Sequence, residues 1–437
     1  MNRFLMQALS TWKDRPGRKP LLVKGARQVG KTYLLKAFGE TAFPACHYIN
    51  FERDNLSKIF EADFNPSRIL TELSFYLGRS INTQTDFLIL DEIQACPKAL
   101  NSLKYFHEEK PELAIAAAGS LLGVALSDES FPVGKVDYLF LSPMTFFEFL
   151  LGIGEQALYD YVQSLKKNPK MSSLIAHEKL WEKLKHYFIV GGLPAVVSIY
   201  AQHQKEDLFM AFEKVRECQA ALIRDYSADM AKHAGKVNAM HLDRVWHSVA
   251  SQLSKTQEGA TQRFRFKDIV HGVDRYARLA NVIDWLLNAG LILKSDIVKT
   301  IERPLSAYTQ EGQFKLFIFD IGLLGAMSGL APKDLLDQSY GTYKGYFAEN
   351  FIAQNLFIYG PLFTWQEGTA EIEFVQEKNG AVIPIEVKSA WSTHAKSLSI
   401  FVKKYAPPYQ IIYSAKNIEL NQKSHTQYLP LYLAELE

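Results

Sequence analysis

Residues Gly25-Ala26-Arg27-Gln28-Val29-Gly30-Lys31-Thr32 complete the pattern G-x-x-x-x-G-K-[ST] without a gap, and no other feature of the chain narrows its fold as far. Such a loop needs a strand before it and a helix after it, because loop amides and the helix N-terminus must converge on a phosphate. Both are written in the sequence. Pro20-Leu21-Leu22-Val23 reads as a buried strand, and Tyr33-Leu34-Leu35-Lys36-Ala37-Phe38 as a helix. Downstream, the apolar run Phe87-Leu88-Ile89-Leu90 ends in Asp91-Glu92, the usual partner of such a loop. Together they predict a chain that binds a nucleoside triphosphate with Mg2+ and hydrolyses it.

The pattern assigns roles. Gly25, Ala26, Arg27, Gln28, Val29 and Gly30 offer backbone amides to the phosphates, while Lys31 reaches the β- and γ-phosphates. Thr32 and Asp91 are the expected ligands of Mg2+, and Glu92 is the expected general base for the attacking water. Ser120, after a later strand in Ala117-Ala118-Gly119-Ser120, is placed to sense the γ-phosphate, although a simple turn serine fits the same position. Arg27, Arg224 and Lys135 compete for the role of a charge-neutralising finger.

At 437 residues the chain is long for one core, so several domains are expected. Its 48% hydrophobic and 22% charged residues are those of a globular protein. No apolar run reaches the length of a membrane span, and the N-terminus does not read as a signal peptide. Cys46, Cys96 and Cys218 are odd in number and lack metal-ligand spacing, which suits a reducing cytoplasm. The net charge of +2 neither favours nor excludes nucleic acid, so any such reading rests on local charge.

The fold class expected is α/β. Residues 1–155 alternate strand and helix and read as a P-loop ATPase domain built on a parallel sheet. Residues 156–240 read as a helical connector broken at Gly191-Gly192-Leu193-Pro194. Residues 241–330 carry a helix Arg275–Asn288 and strands Leu291–Lys294 and Lys315–Phe319, the order of a winged-helix module. A Gly-, Ser- and Asp-rich linker from Gly322 to Thr342 then leads to a mixed α/β domain over 341–437.

Taken together, Gly-x-Arg-Gln-x-Gly-Lys-Thr, Leu-Asp-Glu-Ile-Gln, Gly-Ser-Leu-Leu and Leu-Ser-Pro-Met-Thr-Phe-Phe-Glu-Phe-Leu resemble prokaryotic ATPases of AAA family fourteen. In these an AAA-type ATPase domain precedes a C-terminal domain of unknown function, number 4143. Gly191-Gly192-Leu193-Pro194, Trp285-Leu286-Leu287-Asn288-Ala289-Gly290-Leu291-Ile292 and Phe319-Asp320-Ile321-Gly322-Leu323 extend the resemblance over nearly the whole chain. It implies a homo-oligomer with sites completed between subunits. This chain departs from it at Gly134-Lys135, where the family often has Gly-Arg.

Near the C-terminus, Glu349 on a helix is followed by Glu373, a hairpin turn at Asn379-Gly380, and Glu386-Val387-Lys388. The order looks like the metal core of restriction-endonuclease-like proteins, with carboxylates for Mg2+ and a lysine to stabilise hydroxide. An ordinary cross-strand ion pair reads the same residues equally simply. Arg263, Arg265, Lys267, Arg275 and Arg278 give the winged-helix region the footprint of phosphate contacts, hence of DNA as a partner. The alternative is a nucleotide-dependent switch that engages a protein partner and keeps a non-catalytic nuclease-like domain.

Overall fold

A computed structural model describes residues 3–120, 134–167, 172–234, 236–254, 263–270, 275–337, 343–388 and 396–436. Leu121 and Leu122 of the Gly-Ser-Leu-Leu motif, and residues 338–342 of the expected linker, lie outside the described residues. The chain divides into two compact units, one of Met1–Ser142 with Asn288–Gly290, the other of Pro143–Leu287 with Leu291–Glu437.

The first unit is built on five strands: β1 (Leu21–Lys24), β2 (Cys46–Asn50), β3 (Phe87–Asp91), β4 (Ala114–Ala118) and β5 (Asp137–Phe140). They pair in parallel in the order β2-β3-β4-β1-β5. Every residue of β3 and β4 is buried, as continuous apolar runs covered on both faces must be. Helices α1 (Leu5–Asp14) and α2 (Lys31–Ala42) pack Trp12 and Phe38 against Phe87 on one face. On the other, α3 (Ser57–Ala62), α4 (Pro66–Leu77) and α5 (Pro97–Glu109) bury Phe60, Ile69, Leu73, Leu103 and Phe106. The ends of α4 show why it begins and stops there. Asn65 accepts from the amides of Ser67 and Arg68, Pro66 sits in the first turn, and Gly78 closes the helix at φ 64°.

The second unit opens with α6 (Phe146–Gly152), α7 (Gln156–Lys167), α8 (Leu174–Val190), α9 (Pro194–His203), α10 (Leu208–Ala234) and α11 (Lys236–Ser254). A reciprocal capping box between Thr145 and Glu148 starts α6. After α12 (Tyr276–Asn288) come β6 (Ile292–Val298) and β7 (Thr309–Ile318), then α13 (Ile321–Met327), α14 (Pro332–Leu336) and α15 (Tyr343–Phe357). Strands β8 (Leu362–Glu367), β9 (Ala370–Lys378) and β10 (Ala381–Val387), helix α16 (Lys396–Tyr405), and strands β11 (Gln410–Ser414), β12 (Glu419–Asn421) and β13 (Thr426–Pro430) complete it. The eight strands form one mixed sheet in the order β12-β13-β11-β10-β9-β8-β6-β7.

Two expectations change here. The strands expected as a wing do form an antiparallel hairpin, but β6 also pairs in parallel with β8, so the hairpin is the outer part of the C-terminal sheet. The expected linker after Gly322 is instead helical over α13 and α14. Its glycines are packing residues: a Cβ on Gly322 would strike the Val190 carbonyl, and one on Gly325 would press on the Arg216 guanidinium. The turn at Asn379-Gly380 forms as expected, with both residues at positive φ, 48° and 83°.

The motifs Leu-Ser-Pro-Met-Thr, Gly-Gly-Leu-Pro and Phe-Asp-Ile-Gly-Leu meet at one buried point. Asp320, fully buried, accepts from the amides of Gly192 at 2.7 Å and Leu323 at 3.0 Å, which caps α13. Met144 N donates to Gly192 O at 2.7 Å, and Met144 O accepts from the Tyr187 hydroxyl at 2.6 Å. A Cβ at Gly192 would overlap the Met144 backbone, so only glycine fits.

Candidate functional site

The phosphate loop of the first unit needs conformations that most side chains resist. Gly25 has φ 149°, with the Leu141 carbonyl where a Cβ would stand, Gly30 has φ 95° as the N-cap of α2, and Gln28 has φ 68°. The Lys31 ammonium is buried and donates to the carbonyls of Gly25 at 3.0 Å and Ala26 at 2.8 Å, folding back over the loop. Burial lowers its pKa to about 8, against the pull of Glu92 and Asp91. Thr32 Oγ1 donates to Asp91 Oδ2 at 2.7 Å, so the two expected Mg2+ ligands already touch. The parallel register of β3 with β2 sets Asp91 opposite Asn50.

Glu92 follows in the left-handed region, φ 50°, which turns its side chain out of the strand direction. Its Oε2 accepts from Gln94 Nε2 at 2.6 Å, and burial raises its pKa, with Asp91 adding to the shift. Ser120 is buried two residues beyond β4. Arg27 pairs with Glu52 at 3.9 Å and Lys135 with Glu108 at 3.1 Å, while Arg224 is exposed on α10. Sequence reasoning missed Tyr48, whose hydroxyl donates to Asp91 Oδ2 at 2.9 Å and accepts from Asn50 Nδ2 at 3.2 Å. The Lys36 ammonium stands 3.5 Å from the Tyr48 ring centroid. No local signal marks Tyr48, because its approach to Asp91 depends on β2 lying beside β3.

In the second unit the four expected C-terminal residues come together. Lys388 and Glu386 form an ion pair at 2.5 Å, and Glu373 Oε2 accepts from the Val387 amide at 3.1 Å. Two residues the sequence reading did not place there change the cluster. Lys315 of β7 is buried and bonds Glu349 of α15 at 3.4 Å and, more closely, Glu371 of β9. Burial opposes its charge, but Glu349 and Glu371 outweigh that and raise its pKa. The ammonium thus lies where it neutralises carboxylates as a bound cation would. Among the described residues no group of three or more His, Cys, Asp or Glu is arranged to hold a metal ion.

Burial raises the Glu349 carboxyl from its ordinary 4.5 to about 7, with Lys315 opposing the shift and Glu373 adding to it. The folded chain therefore holds a proton there over pH values at which the unfolded chain has lost it. Stability from this group falls as pH rises from about 4.5 through about 7. In urea titrations, Glu349→Gln removes that fall, so the midpoint of the variant rises relative to the parent between these pH values. A difference that stays constant with pH contradicts it.

A parallel five-stranded sheet with this loop on one strand and a carboxylate pair at the end of another defines a P-loop ATPase of the AAA type. Residues 17–150 match the AAA_14 family, described as an AAA domain. Residues 181–334 and 344–434 match two domains of unknown function, DUF8612 and DUF4143. The family models thus place an AAA domain in the N-terminal part of the chain and a DUF4143 domain at its C-terminus. No curated protein matches it. Among solved structures it is similar to a Walker-type ATPase of Pyrococcus abyssi, at 15% identity, over 74% of this chain and 94% of that chain, with a TM-score of 0.46. AMPPCP-bound DnaA from Aquifex aeolicus matches at 14% identity over 64% and 86%, TM-score 0.30. The ORC1 protein of Aeropyrum pernix in complex with DNA matches at 14% over 74% and 90%, TM-score 0.29.

Proposed function

We propose that this chain binds ATP with Mg2+, hydrolyses it, and uses the turnover to drive a conformational change exerted on nucleic acid. The observation that carries the reading is the contact of Thr32 with Asp91 beside the buried Lys31 and the half-buried Glu92. Two hard oxygen donors suit Mg2+, and Thr32 and Asp91 would hold it there. When bound, the ion would neutralise phosphate charge. The loop amides and Lys31 bind and orient the triphosphate, and Glu92, its pKa raised by burial, takes a proton from the attacking water. Tyr48 and Gln94 position the two carboxylates. The basic segment Arg263–Lys267 supports the nucleic-acid part. The free cysteines fit a cytoplasmic setting, and the family resemblance fits a homo-oligomer.

Steady-state ATP hydrolysis with Mg2+, with and without DNA and with Lys31→Ala as the blank, tests the reading. Hydrolysis that is lost in the blank and stimulated by DNA is expected. Hydrolysis equal in parent and Lys31→Ala sinks the site. Hydrolysis indifferent to DNA favours a second reading, a nucleotide-dependent switch acting on a protein partner. The neutralisation of Glu349 and Glu371 by Lys315 favours that reading, because it fits a nuclease-like domain that does not cut.

A further inference from the structure

The segment Arg263-Phe264-Arg265-Phe266-Lys267 alternates cation and aromatic with the two-residue period of an extended chain. Phe264 and Phe266 turn inward onto Phe314 of β7, with ring centroids 6.2 and 5.8 Å away. Phe264 N donates to Phe314 O at 2.9 Å, which ties the segment to the sheet. Gln252 of α11 holds it from the other side, its amide both donating to Arg265 O and accepting from Arg265 N, each at 2.8 Å. The alternation then leaves Arg263, Arg265 and Lys267 exposed.

With Arg244 of α11 these three line a cleft of about 750 Å3, a size typical of ligand clefts. The Arg263 guanidinium rests on a neutral group, the Gln366 amide oxygen, at 3.1 and 2.9 Å. Among the described residues the side chains of Arg244, Arg265 and Lys267 form no ion pair. The acids at the cleft are Asp243, which accepts from Ser227 at 2.5 Å and lies 3.4 Å from His247, and Asp268. Four cations therefore face two carboxylates. Lys315 also lines the cleft, its charge already committed to Glu349 and Glu371.

We propose that this cleft binds the phosphodiester backbone of a single nucleic-acid strand. Arg263 and Arg265, on alternate residues where the segment is extended, stand about 6.6 Å apart, comparable to successive phosphates along an extended strand, and Lys267 follows at the turn. Phe264 is the one Phe, Tyr or Trp among the described lining residues, and it is buried, so the cleft offers no platform for stacking bases. Binding is accordingly indifferent to base sequence and steep in salt. Arg244 comes from a helix and the other three from the segment, so the strand is gripped from two sides. The proposal rests on the nucleic-acid reading above and gives that reading a place.

The test measures anisotropy of a short fluorescent single-stranded oligonucleotide on the full chain carrying Lys31→Ala, which removes the phosphate loop from the signal. Four phosphate contacts give a salt slope of about −2.8, a weakening of about 50-fold between about 50 and about 200 mM salt. Adding Arg265→Gln and Lys267→Gln, both at exposed side chains, halves the slope to about −1.4 and the weakening to about 7-fold. The same pair on the parent chain leaves ATP hydrolysis without nucleic acid unchanged, which shows that it folds. An unchanged slope puts the strand elsewhere and overturns the cleft while the nucleic-acid reading stands. No oligonucleotide binding at about 50 mM salt overturns both. Tripolyphosphate bound through Arg265 and Lys267, with no oligonucleotide bound, makes the cleft a site for free polyphosphate and overturns the proposal.

Discussion

Glu92→Gln binds ATP as the parent does and hydrolyses it about 100- to 10,000-fold more slowly, the range that a positioned general base supplies. The substitution keeps the shape and the contact with Gln94 while removing the proton acceptor. Thr32, Asp91 and Lys31 are untouched, so nucleotide affinity is expected to hold. Single-turnover hydrolysis beside equilibrium binding of a fluorescent ATP analogue separates the two effects. A variant that turns over at the parental rate removes Glu92 from the chemistry. A variant that also loses ATP makes Glu92 a structural support of the loop, a role that its half-buried setting next to Asp91 would explain.

The second large effect is one of stability. Lys315→Met leaves Glu349 and Glu371 facing each other in the buried cluster without their cation, and breaking a buried pair in this way costs about 3–5 kcal/mol. The cost is greatest at alkaline pH, because protonation of Glu349, whose pKa the lysine no longer holds down, relieves part of the repulsion as pH falls. Adding Glu371→Gln returns part of the loss, so the double variant is more stable than the sum of the two changes. Urea unfolding of the four proteins closes the cycle. If Lys315→Met instead unfolds like the parent and gains Mg2+ affinity or cleavage of DNA, the cluster is a metal core that the lysine merely occupies.

The first unit was legible because its signals are local. A phosphate loop fixes a strand, a turn and a helix within a few residues, and Asp91-Glu92 marks the end of a strand by composition alone. Tyr48 escaped because its role depends on which strand neighbours β3, a matter of pairing order that no single segment carries. The same limit explains the second unit. The local pattern marks strands at Leu291–Lys294 and Lys315–Phe319, which are only parts of β6 and β7, and it suggests a wing. Only the parallel pairing with β8, across more than sixty residues of chain, shows which sheet they belong to. Lys315 was hidden for that reason, since its partners Glu349 and Glu371 lie far along the sequence. The linker misreading had another cause: glycine marks flexibility and close approach with the same letter, and at Gly322 and Gly325 it marks close approach.

That pairing bears on how such chains diversify. The last matched region begins at residue 344, but β6 and β7 hydrogen-bond into its sheet and carry the lysine that balances its buried acids. A recombination event between relatives at residue 340 would hand one descendant a sheet with a naked edge and uncompensated charge, and the other a hairpin with nothing to lean on. Strands and countercharge therefore make one block from 292 onward, in which loss of Lys315 is offset only by a change at Glu349 or Glu371.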